Sequence, residues 1–308
     1  MNLIFLGTGG AWRLPELNCN CFICREARKR EEERGRTALL LSGKKKILID
    51  CGPDIARQLS SHQIDRVDAV LITHEHGDHY LGLDELVSYK RSCLKESFEP
   101  IPVYLTGLSW NVIGARFGYL EEMGVIKVHK IEPGMEHEAA GCEIIPFKTN
   151  HGPIASGSVG YIINIKEMGG EDIRLIYTSD LVDPEGSHPD LFHPDYLIIS
   201  SYWFNEPIEN RANHLSFQRA LDFIKLWSPE RETFLVHIGD GDVIPGDPAN
   251  RMAKKIDPAD PLSALNNGEP YAVPMNQEEW QKAVDMVVSD QDLPFKITVA
   301  YDDLIISL

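Results

Sequence analysis

The chain has 308 residues, 43% of them hydrophobic, so it is long enough to bury a large core. Its 30 basic and 47 acidic residues give a formal net charge of −17. Such a charge repels polyanions at long range, so nucleic acid is an unlikely default partner, although solubility alone also explains an acidic surface. No run of 18 apolar residues occurs, so we expect no membrane span.

The amino terminus reads as a short apolar strand, residues 3–6, followed by the turn Gly7-Thr8-Gly9-Gly10. It lacks the basic region and the long apolar core of a signal peptide, so we expect a cytoplasmic protein. Three of the six cysteines follow closely, at positions 19, 21 and 24. Such crowding in a chain without a secretion signal favours metal binding over disulfides.

Apolar runs along the chain predict many strands and few long helices. The predicted strands are residues 3–6, 38–41, 46–50, 69–73, 103–105, 125–128, 142–147, 160–165, 174–178, 196–199, 234–236 and 297–301. The predicted helices are residues 25–34, 83–90, 217–227 and 277–289, with another opening at residues 51–54. This pattern predicts two sheets packed face to face with helices outside.

Residues 239–274 are rich in Pro, Asp, Asn and Gly and predict a long irregular segment. Long loops in compact domains are often lids or partner surfaces, but an insertion without a catalytic role explains this one equally well. We expect one domain over residues 1–308, with an irregular insertion at about 239–290 before the last strand.

The most informative motif is His74-x-His76-x-Asp78-His79, which directly follows the predicted strand at 69–73. Imidazole and carboxylate groups are ligands of Zn²⁺, Mn²⁺ and Fe²⁺. A strand end holds such ligands rigidly, and a loop lets several of them converge. The motif therefore predicts a metal-dependent hydrolase with two metal ions.

Further ligand-type residues follow later strands: His151, Asp180 and His237 each come after an apolar run. A single histidine after a strand is usually a packed core or rim residue. Three such residues, in a chain that already holds the histidine motif, favour a shared site at one rim of the sandwich.

With these motifs the sequence resembles the metallo-β-lactamase superfamily over nearly its whole length, which implies an αββα four-layer sandwich. The resemblance implies that one metal is held by His74, His76 and His151 and the other by Asp78, His79 and His237. Asp180 would bridge both metals, and Asp78 would also orient the nucleophile. Asp50 matches a carboxylate that orients a ligand histidine, although it also suits a helix cap before Pro53.

The motif Cys19-x-Cys21-x2-Cys24 predicts a structural zinc site at about residues 18–25, because three thiolates at this spacing can wrap one tetrahedral ion. Three unrelated buried thiols are the alternative. This motif resembles that of PhnP-type phosphodiesterases, and the resemblance implies that Asp240 is the fourth ligand, where that family has a histidine. Replacing the imidazole by a carboxylate puts the zinc affinity of this structural site in question. It does not affect the ligand set of the catalytic site.

The glycine-rich start, the cysteine motif and His214 together resemble PhnP-type phosphodiesterases, which hydrolyse small cyclic and diester phosphates. His214 matches the family's extra active-site histidine, which donates a hydrogen bond or proton to a phosphate oxygen. The alternative is a solvent-facing histidine in the loop that caps the helix at 217–227. Arg211, close to His214, is a candidate phosphate contact.

Two other functions stay open. A tRNA 3′-processing nuclease fits the same ligands, but the net charge and the short turn at 167–170, where a tRNA-gripping arm would be inserted, argue against it. A non-hydrolytic relative of the PQQ-biosynthesis proteins shares the glycine-rich start and the cysteine motif, but these proteins are less complete in the histidine motif. We expect a small phosphate ester as substrate. The oligomeric state stays open, with a homodimer as one possibility because dimers are the commonest assembly of soluble enzymes.

Several residues are expected to have packing roles. Cys51, Cys93 and Cys142 are predicted to be small buried residues. Trp203 and Phe204 either wall the substrate pocket or pack in the core.

Overall fold

The computed structural model describes residues 1–94, 97–166, 172–186 and 188–308. The turn at 167–170 lies outside the described residues. Two mixed sheets form the centre of the molecule. Within the described residues, no helix is both long and apolar enough to cross a membrane.

The first sheet has the strand order β15-β1-β2-β3-β4-β5-β6. These strands are β1 (Asn2–Gly7), β2 (Ala38–Ser42), β3 (Lys46–Ile49), β4 (Ala69–Leu71), β5 (Ile101–Thr106), β6 (Ile126–Ile131) and β15 (Ile305–Ser307). Strands β3 to β6 pair in parallel. Their carboxyl ends therefore lie at one edge, where Asp50 and His74 follow β3 and β4.

The second sheet has the strand order β11-β8-β9-β10-β12-β13-β14, with β7 beside β8. These strands are β7 (His137–Ala139), β8 (Cys142–Asn150), β9 (Val159–Ile165), β10 (Ile173–Tyr177), β11 (Asp183–Pro184), β12 (Tyr196–Ser200), β13 (Glu232–Val236) and β14 (Ile297–Val299). Strands β10, β12 and β13 pair in parallel. Strand β8 runs in the same direction as β10, because both are antiparallel to β9.

Helices cover the outer faces of both sheets. They are α1 (Phe22–Arg30), α2 (Ile55–Ser61), α3 (Gly77–Tyr80), α4 (Val87–Ser92), α5 (Gly107–Phe117), α6 (Tyr119–Glu122), α7 (Phe217–Trp227) and α8 (Gln277–Asp290). Phe5 and Tyr161 pack between the two sheets. Helices α2 and α5 pack on the first sheet and α7 and α8 on the second. The predicted αββα sandwich is confirmed.

Helix α7 shows how the local sequence sets these boundaries. The Ser216 side chain caps its first turn by accepting a hydrogen bond from the Arg219 amide, and Ser228 ends it with a left-handed backbone. Between these caps, Phe217, Leu221 and Ile224 are buried at helical spacing. The resulting apolar face packs on the second sheet.

Several sequence predictions differ from the structure. Helix α1 spans Phe22–Arg30 and not residues 25–34, because the Cys21 thiol caps its start by accepting a hydrogen bond from the Cys24 amide and Glu31 ends it with a left-handed backbone. Helix α5 was not predicted, since its two glycines and two β-branched residues lower helix propensity. Cys93 is exposed at the end of α4 and is not buried as predicted.

The irregular segment at 239–274 packs against the cysteine loop. It holds one short 3-10 helix, Pro248–Arg251. Ile244 and Ala249 from this segment form one apolar cluster with Leu14 and Ile23. The segment therefore forms a wall of the cysteine loop.

Gly52 allows two segments beneath the histidine motif to approach closely. A Cβ atom on Gly52 would lie 2.0 Å from the backbone oxygen of Asp78. Close by, the Cys51 amide donates a hydrogen bond of 2.7 Å to the backbone oxygen of His79. Any side chain at position 52 must therefore displace the short helix α3.

We predict that Gly52→Ala lowers the free energy of unfolding by about 1–3 kcal/mol, because of this overpacking. Urea unfolding monitored by circular dichroism measures it. Gly107→Ala is the matched control, since nothing lies within 4 Å of its added Cβ atom. Equal stability of the two variants would contradict the role given to Gly52.

Candidate metal centre

The ends of several strands deliver the predicted ligands to one edge of the sandwich. His74 follows β4, His151 follows β8, Asp180 follows β10 and His237 follows β13. All four side chains are buried, with residue exposures of 0–2%. The parallel directions of these strands place residues that are far apart in sequence at one location.

A first group of ligand atoms comes from His74, His76 and His151, all within 4.8 Å of one another. His151 Nδ1 donates a hydrogen bond of 2.7 Å to the backbone oxygen of Asn213. This bond leaves the lone pair of His151 Nε2 facing the group, 3.0 Å from His76 Nδ1. The Nε2 atoms of His74 and His76 are buried without a hydrogen-bond partner.

A second group consists of Asp78, His79, Asp180 and His237. Asp180 Oδ2 lies 3.2 Å from His79 Nε2 and 3.0 Å from His237 Nε2. The same oxygen is 3.8 Å from Nε2 of His151, which belongs to the first group. Asp180 Oδ1 is buried without a partner. The carboxylate therefore faces both groups, as a bridging ligand must.

Asp50 orients a histidine of the second group. Its Oδ2 atom accepts a hydrogen bond of 2.7 Å from His79 Nδ1, and its Oδ1 atom accepts one of 2.9 Å from the Thr73 amide. These bonds turn His79 Nε2 towards Asp180. The N-cap position of helix α2 is occupied by Asp54, so the helix-cap alternative for Asp50 is wrong.

The electrostatics of the two groups differ. Burial, together with the charge of His79, holds the pKa of His74 well below its usual range, so this imidazole is neutral and has a free lone pair. Burial also acts to lower the pKa of His79, but Asp78, Asp50 and Asp180 together raise it well above its usual range. The second group is therefore dominated by carboxylate charge, which favours a cation.

These donors fit divalent metal ions. Neutral imidazole nitrogens and carboxylate oxygens are the ligand types that Zn²⁺, Mn²⁺ and Fe²⁺ share. Buried polar atoms normally have hydrogen-bond partners, so the unpaired buried atoms of His74, His76 and Asp180 indicate metal ligation.

His214 lies beside both groups. It is 7% exposed, and its Nδ1 atom is 3.7 Å from Asp180 Oδ2 without a hydrogen-bond partner. Burial holds the pKa of His214 well below its usual range. The residue is therefore not a solvent-facing loop histidine, and Ser216 is the cap of α7. Its position also permits ligation, because His151, Asp180 and His214 lie within 4.8 Å of one another.

Sequence reasoning missed Tyr202, which supports His214 from one side. The two rings stack with centroids 4.9 Å apart at 19°. Gly239 makes room for this tyrosine, because an added Cβ atom would lie 2.4 Å from Tyr202 Cε2. Of the two aromatic residues singled out from sequence, Phe204 is in the core and the Trp203 ring lies 6.3 Å from His214.

The cysteine motif forms a separate buried cluster with Asp240, and these four ligand atoms also lie within 4.8 Å of one another. Asp240 Oδ2 is 3.0 Å from Cys24 Sγ, 3.4 Å from Cys21 Sγ and 3.8 Å from Cys19 Sγ. Three thiols and a carboxylate suit a tetrahedral zinc ion. This arrangement differs from three unrelated buried thiols.

Arg211 lies on the surface of the protein. Its side chain is 71% exposed and forms an ion pair with Glu209. Its role as a phosphate contact stays a prediction.

The sequence and the fold of this chain are similar to those of known proteins. A family model described as a beta-lactamase superfamily domain matches residues 45–238. An octanoyltransferase from Porphyromonas gingivalis is 31% identical over 212 residues, which is 65% of this chain and 42% of that protein. A ribonuclease Z from Pyrococcus horikoshii is 29% identical over 176 residues, 55% of this chain and 50% of that protein. The chain thus spans about half, or less, of these two curated relatives.

Two solved structures share the fold over the whole chain. A diphosphatase from the PhnP family has a TM-score of 0.69 at 20% identity, with 100% of this chain and 97% of that chain covered. Zn²⁺-bound PqqB from Methylobacterium extorquens has a TM-score of 0.68 at 18% identity, with both chains fully covered. Because the family model matches more than half of the sequence, this chain belongs to the metallo-β-lactamase superfamily.

Proposed function

We propose that this protein is a binuclear metal-dependent phosphodiesterase that cleaves small phosphate esters, with cyclic diesters among the candidates. The observation that carries this proposal is the Asp180 carboxylate, which faces two adjacent groups of buried ligands and has His214 beside it. A bridging carboxylate favours two ions over one.

In this proposal His74, His76 and His151 hold one ion, and Asp78, His79 and His237 hold the other. When bound, two such ions lower the pKa of water and polarise a phosphate oxygen. The buried ligand shell holds its donors in place before substrate arrives, which reduces reorganisation during the reaction. The side chain of Asp78 is 10% exposed, so it can also orient a water molecule towards phosphorus.

His214 is the proposed donor to the leaving oxygen or to a non-bridging oxygen of the phosphate. Its Nδ1 atom has no hydrogen-bond partner, so it is available for a hydrogen bond to a substrate. The backbone of His214 is held by Asn210, whose side chain bonds both its amide and its carbonyl oxygen. Stacking on Tyr202 fixes the ring plane.

The cluster of Cys19, Cys21, Cys24 and Asp240 is the proposed structural zinc site. Asp240 lies three residues after His237, so zinc bound there would also restrain the loop that carries a ligand of the active site.

A second candidate is a ribonuclease Z-like nuclease, because the Pyrococcus horikoshii relative carries that name. The net charge of −17 favours a small substrate over a polyanion. RNA binding that weakens steeply with salt would favour the nuclease. A non-hydrolytic role like that of PqqB is less well supported, since all seven predicted metal ligands lie together.

The first test combines metal analysis with hydrolysis of bis(p-nitrophenyl) phosphate. We expect about three metal ions per wild-type chain, and a chelator should abolish activity. Asp180→Ala should lose active-site metal and activity, whereas the exposed Asp222→Ala control should keep both. Cys21→Ala should lose one zinc ion. About one ion per chain, insensitive to Asp180→Ala, would refute the binuclear mechanism.

A second prediction concerns His214→Gln. Removing a hydrogen-bond donor to the leaving oxygen should lower kcat by about 10²–10³-fold for an alkyl leaving group, and much less for p-nitrophenolate, whose negative charge is already delocalised. The metal content should not change. His129→Gln, in the edge strand β6, is the control. Loss of metal in His214→Gln would instead make His214 a ligand.

A third prediction concerns Asp50→Asn. The variant keeps the shape of the side chain but loses the charge that orients His79, so metal affinity should fall by about 10–100-fold. Competition with a fluorescent chelator measures this change. Asp65→Asn, on the exposed surface, is the control. Unchanged affinity in Asp50→Asn would show that packing alone positions His79.

A further inference from the structure

The ammonium group of Lys254 enters the cysteine cluster. Its Nζ atom lies 2.5 Å from Asp240 Oδ2 and 3.1 Å from Cys19 Sγ, and it also pairs with Glu16. The lysine side chain is 22% exposed and that of Asp240 is 8% exposed. One cation therefore contacts two of the four proposed zinc ligands directly.

Charge explains why such a contact matters. Three thiolates and one carboxylate carry four negative charges, so a bound Zn²⁺ ion leaves an excess of two negative charges on the complex. Excess charge in a buried site is unfavourable unless a nearby opposite charge offsets it. A neutral fourth ligand would leave a smaller excess, so Asp240 makes a compensating cation more important.

Among the described residues, two other cations near the cluster, Arg28 and Lys255, bond backbone oxygens. Arg28 donates to the backbone oxygens of Cys19 and Glu16. Lys255 donates a hydrogen bond of 2.7 Å to the backbone oxygen of Asp242. These contacts hold the backbone, whereas Lys254 acts on the ligand side chains themselves.

The irregular segment at 239–274 carries Lys254 into this position. Asp247 in this segment accepts a hydrogen bond of 2.8 Å from the Phe22 amide at the start of α1. The Ile256 amide, two residues after Lys254, bonds the backbone oxygen of Gly241. Hydrogen bonds on both sides of Lys254 in the sequence therefore hold its backbone in place.

We propose that Lys254 is a positioning residue of the cysteine–aspartate zinc site, where its ammonium offsets the charge of Asp240, donates to the Cys19 thiolate and so slows the loss of zinc. This inference rests on the structural zinc site proposed above. It assigns the segment at 239–274 the role of completing that site.

The test uses the full-length protein with cobalt in place of zinc, since thiolate-to-cobalt charge-transfer absorption reports the cysteine site alone. Decay of this band after addition of a chelator gives the rate of metal release. Lys254→Met should release cobalt at least about tenfold faster, because a charge-assisted hydrogen bond is lost. Lys254→Arg should stay closer to wild type. Lys296→Met, which removes an ion pair with Glu232, should have no effect.

A double-mutant cycle makes the test specific for charge. Asp240→His supplies a neutral ligand, so adding Lys254→Met to that variant should change the release rate much less than in wild type. Equal release rates for wild type and Lys254→Met would overturn the role of Lys254 and leave the zinc site standing. Absence of the charge-transfer band in wild type would instead overturn the zinc site.

Folding provides a further readout if Lys254→Met alone is too unstable to study. Restoration of the folded circular dichroism spectrum in the Asp240→His, Lys254→Met double variant would support charge compensation. If Lys254→Met fails to fold both alone and together with Asp240→His, charge compensation is overturned. The lysine would then be needed irrespective of the charge at position 240.

Discussion

The rest of the candidate site depends on the burial of Asp180 among histidines. The carboxylate is 1% exposed, and its Oδ2 atom lies within 3.8 Å of nitrogens from His79, His151, His214 and His237. A buried carboxylate is costly unless positive charge surrounds it. Burial raises the pKa of Asp180, but His237 and His79 hold it well below its usual range, so the group stays ionised. The strands and loops around Asp180 therefore supply the histidines that offset its negative charge.

The backbone near this point is also unusual. Asp50, Ser179, Asn213 and His237 all have positive φ values, between 56° and 62°. Such conformations cost of order 1–3 kcal/mol each for residues other than glycine and persist only where the surroundings enforce them. Here the two packed sheets enforce them, because the residues follow strands or precede helix α7. The sandwich thus holds side chains in directions that a free loop would not maintain.

The two clusters are joined by a short segment, His237 to Asp240. The Ile238 amide donates to the backbone oxygen of Thr8, and the Gly10 amide donates to that of Ile238, so the amino-terminal turn clamps this segment. Tyr202 fills the space beside Gly239 and stacks on His214. A zinc ion on Asp240 would therefore stiffen the segment that carries His237, together with the ring that supports His214. Such a coupling would account for the position of the proposed structural zinc site next to the proposed active site.

The sequence was sufficient to predict the parts of this arrangement that follow from local pattern. Strand periodicity and ligand-type residues at strand ends located His74, His151, Asp180 and His237 at one edge. The pattern did not reveal Tyr202 or Lys254, because their contacts join residues separated by 12 to more than 200 positions in the chain. Helix α5 was also missed, since tertiary packing of Ile113 and Phe117 overrides its weak propensity.

The acidic surface and the site together favour a small substrate. Two divalent ions with Asp50, Asp78 and Asp180 would give a local formal charge of about +1 before any bound hydroxide, because the ligand histidines are counted as neutral. The whole chain, in contrast, carries −17. Mobile ions screen surface charges beyond about 8 Å at physiological salt, so a small phosphate near the site experiences mainly the local positive field. A polyanion long enough to lie along the surface meets the acidic residues as well. If the proposed function holds, the contrast between the local and the global charge would favour a small phosphate ester over a polyanion.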